Sequence, residues 1–343
     1  MNTIKPIFIL FAILLASSPY RLIASNDDYT LVWNEDFTDT TLDRNVWNIE
    51  VNGDGGGNNE LQYYCEKGVT LDIEPTTGKR CLVLTATKED YKSKKCTSGR
   101  VNTKNNLYYT FGKIEARIKF PNTANGLWPA FWQMGNDFDQ VGWPRCGETD
   151  IIELGNANGI NRGTQDRYFN GALHLGSAWN TVWCDAQDIT YPYSVEDTFH
   201  IVTMIWTPTS IDMYMDRDAN PGVKPYFHAD LEPNNDANYD RSRVFAKPNF
   251  IIANLAVGGN FPQIWDITRL LPLPMVHARS ISTGFVSTNK VPTKRLSPLH
   301  RLPMQSSPKA AQQWIISPSP NQHKKSSSTE SYISAKTDNY TTL

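Results

Sequence analysis

Between residues 30 and 265 the chain alternates short β-rich runs with turns of Gly, Asn, Asp and Pro, and carries no long amphipathic helical spacing. Residues 82–87 (LVLTAT), 201–206 (IVTMIW) and 211–215 (IDMYM) are typical of these runs. β-Branched and aromatic residues fit a pleated, half-buried surface. Many short strands at regular spacing predict an all-β sandwich, and a single domain of this size is normal for such architectures.

Within this pattern one segment carries chemistry: Cys146-Gly147-Glu148-Thr149-Asp150-Ile151-Ile152-Glu153-Leu154-Gly155. Side chains alternate along a strand, so Glu148 and Asp150 share a face while Glu153, five residues after Glu148, falls on the other. One extra residue in a β-bulge around Ile151 or Ile152 restores the parity and brings all three acids to one surface. Two carboxyls about 5–5.5 Å apart across a glycosidic bond suit a retaining glycosidase. We expect Glu148 to be the nucleophile, Glu153 the general acid/base, and Asp150 the neighbour whose charge separates their pKa values. The bare spacing is common by chance, and a polar strand edge or a calcium loop would also produce it.

The aromatic context narrows the choice. Trp128 and Trp132 lie in a Trp-Pro-Ala-Phe-Trp run before the acids, and Trp143 lies five residues ahead of Glu148. Aromatic planes stack on the CH faces of sugars, so a substrate role is expected for Trp128, Trp132 and Trp143, and a core role for Trp47 and Trp206.

These segments resemble glycoside hydrolase family 16, the group that contains laminarinases and lichenases. The resemblance runs from about residue 30 to about 266 and includes residues 31–37 (LVWNEDF), 58–64 (NNELQYY), 99–104 (GRVNTK), 111–117 (FGKIEAR), 170–174 (NGALH) and 254–260 (NLAVGGN). Two residues between Asp150 and Glu153 are similar to the bulged, laminarinase-type branch. The resemblance implies a jelly roll of two curved antiparallel sheets with the substrate cleft on the concave face, and it gives Glu148 and Glu153 the same roles. It further implies substrate contacts from Asn59, Glu115, Arg117 and Trp128 on the donor side and from His174 on the acceptor side. A surface ion pair is the plain alternative for Glu115 and Arg117, and a packed residue the plain alternative for His174.

The implied activity is an endo-β-glucanase acting on β-1,3 or mixed β-1,3/1,4-glucan with retention. Transglycosylation on the same polymers and non-catalytic, lectin-like glucan binding are the alternatives, since fold alone does not fix function. No redox or group-transfer cofactor is required. No Cys or His spacing resembles a zinc site, so no metal ligand is assigned. The formal net charge of −2 gives no nucleic-acid footprint. A monomer is expected.

Residues 1–24 read as a secretory signal peptide, with Lys5 ahead of an apolar run from Ile7 to Ala16 that is too short to span a membrane. A secreted, periplasmic or cell-surface location follows, and export permits disulfides. The five cysteines, Cys65, Cys81, Cys96, Cys146 and Cys184, leave at least one unpaired within the chain. The catalytic domain is expected over 26–275.

Residues 276–343 carry nine Lys/Arg against Glu330 and Asp338, with little apolar surface to offset ordering, and are read as a disordered basic tail. The terminal strand that the resemblance leads one to expect is absent, together with an Asp that helps many relatives hold a structural calcium. Our hypothesis is a slip of reading frame between about Phe261 and Arg279. Residues 279–290 can be written in codons whose other frame reads TIYIDWVRVYQQ, a strand of the expected kind. The DNA sequence across 279–290 decides this, and other codons there end the idea.

Overall fold

The computed structural model describes residues 29–266, Thr268 and the backbone of 286–288. The signal-peptide reading and most of the tail, including most of the proposed frame slip, lie outside the described residues.

Two antiparallel sheets face each other across one apolar core. The first comprises β2 (Asn48–Ile49), β3 (Arg100–Asn102), β5 (Leu127–Gly135), β6 (Glu148–Leu154), β7 (Tyr168–Gly176), β8 (Val182–Thr190) and β12 (Asn249–Val257). Their order across the sheet is β8-β7-β6-β5-β12-β3-β2, and Tyr108–Tyr109 adds a short pairing to β12. The second comprises β1 (Tyr29–Leu31), β4 (Gly112–Lys119), β9 (Phe199–Trp206), β10 (Ser210–Met215), β11 (Phe227–Asp230) and β13 (Val286–Thr288). Its order is β1-β13-β4-β9-β10-β11. Three residues of the basic tail thus form β13, paired with β1 and β4. Among the described residues the helices are short, none exceeding six residues.

Strand parity builds the core. Leu127 and Phe131 of β5, Phe169, Leu173 and Leu175 of β7, and Ile251, Ala253, Leu255 and Val257 of β12 meet Ile114, Ala116 and Ile118 of β4 and Val202, Met204 and Trp206 of β9. Alternate residues of the first sheet (Trp128, Trp132, Asn254, Asn170, His174) therefore stand on its outer face, where the site lies.

Trp47 and Trp206 are buried core residues, as expected. Trp206 is held by edge contacts from Tyr109 and Phe111 at 5.6 and 5.2 Å, and its Nε1 donates to the Phe245 carbonyl at 2.9 Å. Truncation there removes a large buried ring and leaves that carbonyl unpaired. Trp206→Ala should lose about 3–5 kcal/mol of stability, read from the midpoint of urea unfolding at unchanged slope.

Candidate active site

The catalytic strand is β6, and both of its neighbours register one extra residue in it. Against β5, Trp132 pairs with Asp150, Phe131 with Ile152 and Ala130 with Glu153, so Ile151 is skipped. Against β7, Asp150 pairs with Ala172 and Glu153 with Asn170, so three steps on β6 match two on β7. Ile151 and Ile152 consequently both join the core, two successive side chains on one face. Glu153 returns to the side of Glu148 and Asp150, as the sequence spacing predicts. Gly155 ends the strand at φ +92°, where a Cβ would sit 2.1 Å from the Leu127 carbonyl oxygen.

The register lays the site out in rows across the sheet. Glu148 stands beside His174, which stands beside Cys184. Asp150 stands between Trp132 and Ala172. Glu153 stands between Ala130 and Asn170, and its row continues through Asn254 to Arg100.

Each acid has its own partners. Trp128 Nε1 donates to Glu153 Oε1 at 2.9 Å, and Asn170 Nδ2 donates to Oε2 at 3.3 Å. His174 Nε2 lies 3.1 Å from Asp150 Oδ2 and 3.9 Å from Glu148 Oε1. Glu148 also accepts a hydrogen bond from Trp143, whose ring centroid lies 6.4 Å from that of His174.

Burial pushes Glu148 and Glu153 up to about 8, and the nearby Asp150 charge adds to the rise of each. His174, Arg100 and the Trp143 hydrogen bond pull Glu148 back down, and the Trp128 hydrogen bond and His174 do the same for Glu153. Asp150 thus raises the two carboxyls together rather than separating their pKa values as the sequence spacing led us to expect. Burial acts to lower His174, but Asp150, Cys184 and Glu148 outweigh it and lift the imidazole to about 12. His174 is a cation at neutral pH.

Other residues complete the floor. Trp132 Nε1 donates to Asn254 Oδ1 at 2.7 Å, and the Arg100 guanidinium lies over the Trp132 ring at 4.8 Å. Arg100 Nε is 3.0 Å from Glu50 Oε1. Asn254 Nδ2 donates to the Tyr64 hydroxyl at 3.2 Å, which donates to Glu60 Oε2 at 3.0 Å. Arg100, Asn170 and Asn254 were not singled out by the sequence reading. All three lie in segments that carry the resemblance, but only the strand order puts them in the rows of the acids.

The other expected contacts divide. Asn59 Nδ2 donates to Asn260 Oδ1 at 3.0 Å, next to Phe261, so it does reach the Trp128 end of the site. Trp128 is no open platform: Phe261 stacks on it at 4.7 Å, and it serves instead as a donor to Glu153. Trp143 remains 38% exposed and open to a ligand. Glu115 and Arg117 are a correction, because they belong to β4 in the opposite sheet. Ile114, Ala116 and Ile118 take the core face there, which turns Glu115 and Arg117 to the far side of the sandwich. Glu115 pairs with Lys113 at 2.7 Å and accepts from Thr203, and Arg117 lies 3.9 Å over Phe199. The resemblance carries these two side chains over without telling which sheet their strand joins.

Among the described residues one group has metal-ligating spacing, Glu148, Asp150 and His174. Calcium takes six to eight oxygen ligands, and two carboxylates with a cationic imidazole do not match that set. The five cysteines carry free thiols. Cys146 is packed with Met134, Phe250 and Ile252 as a small apolar filler.

A family model, Glycosyl hydrolases family 16, matches residues 58–224. A glucan endo-1,3-beta-glucosidase of Cryptopygus antarcticus is 35% identical over 246 residues, covering 68% of this chain and 82% of the relative. Glucan endo-1,3-beta-glucosidase A1 of Niallia circulans is 29% identical over 247 residues, 67% of this chain but only 34% of that longer protein. Among solved structures, the Bacteroides ovatus mixed linkage glucan family 16 member in complex with a G4G4G3G product superposes with a TM-score of 0.62 at 31% identity, covering 74% of this chain and 98% of that one. The chain belongs to glycosyl hydrolase family 16, within which it is similar to endo-β-1,3-glucanases, and its two sheets form the jelly-roll sandwich.

The raised carboxyls have a consequence for stability. Their folded pKa values lie above the ordinary 4.5, so the folded state holds these protons more tightly than the unfolded chain does. The stability they contribute is full below pH 4.5 and is lost as pH rises toward 8. Glu153→Gln cannot titrate, so its melting temperature should exceed the wild type's at pH 8 and the gap should close below pH 4.5. Calorimetric scans at the two pH values check this.

Proposed function

We propose that this chain is an exported endo-β-glucanase that hydrolyses β-1,3 or mixed β-1,3/1,4-glucan with retention of configuration. The observation that carries the reading is the bulge at Ile151, which aligns Glu148, Asp150 and Glu153 on one side of β6. Similarity to glucan endo-1,3-beta-glucosidases and to a mixed linkage glucan family 16 member supports β-glucan as the substrate class.

In the first step the Glu148 carboxylate attacks the anomeric carbon as the glycosidic C–O bond breaks, and Glu153 gives its proton to the leaving oxygen. In the second, Glu153 takes a proton from water, the water oxygen bonds to the anomeric carbon, and Glu148 departs as a carboxylate. Burial of Glu153 keeps it protonated for the first step. Trp128 and Asn170 each donate to an oxygen of Glu153, which stabilises the anion formed when the proton leaves.

The surroundings suit a neutral polysaccharide. Arg100 is paired with Glu50 and His174 with Asp150, so these two cations beside the acids are already compensated rather than poised for sulfate groups. Asn254, Arg100, Asn102 and Asn48 lie to one side of the acids, and Asn170, His174 and Asp188 to the other. Hydroxyl-binding groups on both sides fit cleavage within a chain rather than at its end. The presence of all three carboxylates favours catalysis over lectin-like binding.

Laminarin and barley β-glucan should be cleaved to oligosaccharides whose new ends first appear as the β-anomer by NMR, with agarose and xyloglucan left intact. Glu148→Gln should bind laminarin without cutting it, and Glu153→Gln should lose about 10²–10⁴-fold in kcat on the polymer. Cleavage at the normal rate by Glu148→Gln would overturn the nucleophile assignment.

A further inference from the structure

The bulge that aligns the acids is held from across the core by one tyrosine. Ile151 has no partner residue on β5, and neither Ile151 nor Ile152 has one on β7. The Ile151 carbonyl is fully buried, at the residue that the register skips on both sides. A buried carbonyl without a partner is unfavourable. The Tyr226 hydroxyl donates to it. Tyr226 directly precedes β11 of the other sheet, so this bond spans the sandwich. Its backbone N–H donates to the Met213 carbonyl at 2.8 Å, and its ring meets Phe169 edge-on at 5.1 Å. Both contacts fix where the hydroxyl points.

The sheet is also thinned at this spot. The residue of β7 that faces the doubled pair of β6 is Gly171, between Asn170 and Ala172. A Cβ there would lie 2.6 Å from Met213 Sδ and 3.0 Å from Phe227 Cβ. Only the absence of a side chain lets the segment carrying Tyr226 approach the bulge so closely. The hydroxyl bonds the Ile151 carbonyl, and the glycine leaves room for Met213 and Phe227 beside the bulge.

We propose that Tyr226 is a positioning residue for the acid/base carboxylate, its hydroxyl holding the bulge in the register that turns Glu153 toward Glu148. The proposal rests on the functional reading above. Without the hydroxyl, the Ile151 carbonyl must seek another partner, and rotation of that peptide moves Glu153 two residues away. Glu148, before the bulge, keeps its ladder pairs with Met134 and His174. The proton donor is therefore displaced while the nucleophile stays.

The test compares substrates that do and do not need the proton. Wild type, Tyr226→Phe and Gly171→Ala are assayed on laminarin and on the 2,4-dinitrophenyl β-glycoside of a laminari-oligosaccharide, whose leaving group departs unprotonated. Tyr226→Phe should lose tenfold or more in kcat on laminarin with KM within twofold, while its pre-steady-state burst of dinitrophenolate slows less than threefold. Gly171→Ala should shift the same ratio in the same direction. Tyr191→Phe, which removes a buried hydroxyl bonded to the Met215 carbonyl in the same core, should leave the ratio unchanged. Equal losses on both substrates, or no loss on either, would overturn the proposal. A Tyr226→Phe chain that cannot be recovered folded would overturn it too, since the hydroxyl would then support the whole fold. A wild type inactive on both substrates removes the functional reading and this proposal with it. An active wild type with an unaffected Tyr226→Phe removes the proposal alone.

Discussion

A strand hydrogen-bonded on both sides cannot absorb an extra residue without consequence. In β6 the extra residue is Ile151, and its cost is taken up within the core, by burying two successive isoleucines and by a hydroxyl from the opposite sheet. Everything chemical about the site follows from that local irregularity. It sets the parity of Glu153, and parity decides whether a proton donor and a nucleophile can reach the same bond.

The alignment has an electrostatic price in stability. On the buried face that the three acids share, Glu148 and Glu153 hold protons that isolated carboxyls would release, both moving up to about 8. Their partners differ. Cationic His174 and Arg100 lie toward Glu148, whereas Glu153 is enclosed by Trp128 and Asn170. A site poised in this way is less stable than a neutral replacement would be, a usual trade between stability and activity.

Much of this was legible in the residue order, for definite physical reasons. Spacing of two and then three between acids, set among β-branched residues, admits one simple geometry with a common face, and the structure adopts it. Trp47 and Trp206 were separable from the cleft tryptophans by their distance from the acids. Glu115 and Arg117 were not legible, because a local resemblance does not report which sheet a strand joins, and that choice depends on pairings with Ile201 and Thr203 some ninety residues away. Trp128 was placed correctly but given the wrong task, since Phe261, 133 residues later, covers its face. Tyr226 could not have been found, as its partner is a backbone carbonyl 75 residues back and no local pattern marks such a bond.

The central claim is that Glu148 attacks the sugar while Glu153 stands beside it as proton donor. It is tested most directly by trapping the covalent intermediate with a 2-deoxy-2-fluoro glucan oligosaccharide bearing a dinitrophenyl leaving group, followed by peptide mapping. The account predicts one sugar adduct, on the peptide of β6, at Glu148. An adduct on Glu153 or on a residue outside β6, or no adduct in a protein that cleaves laminarin, would contradict it.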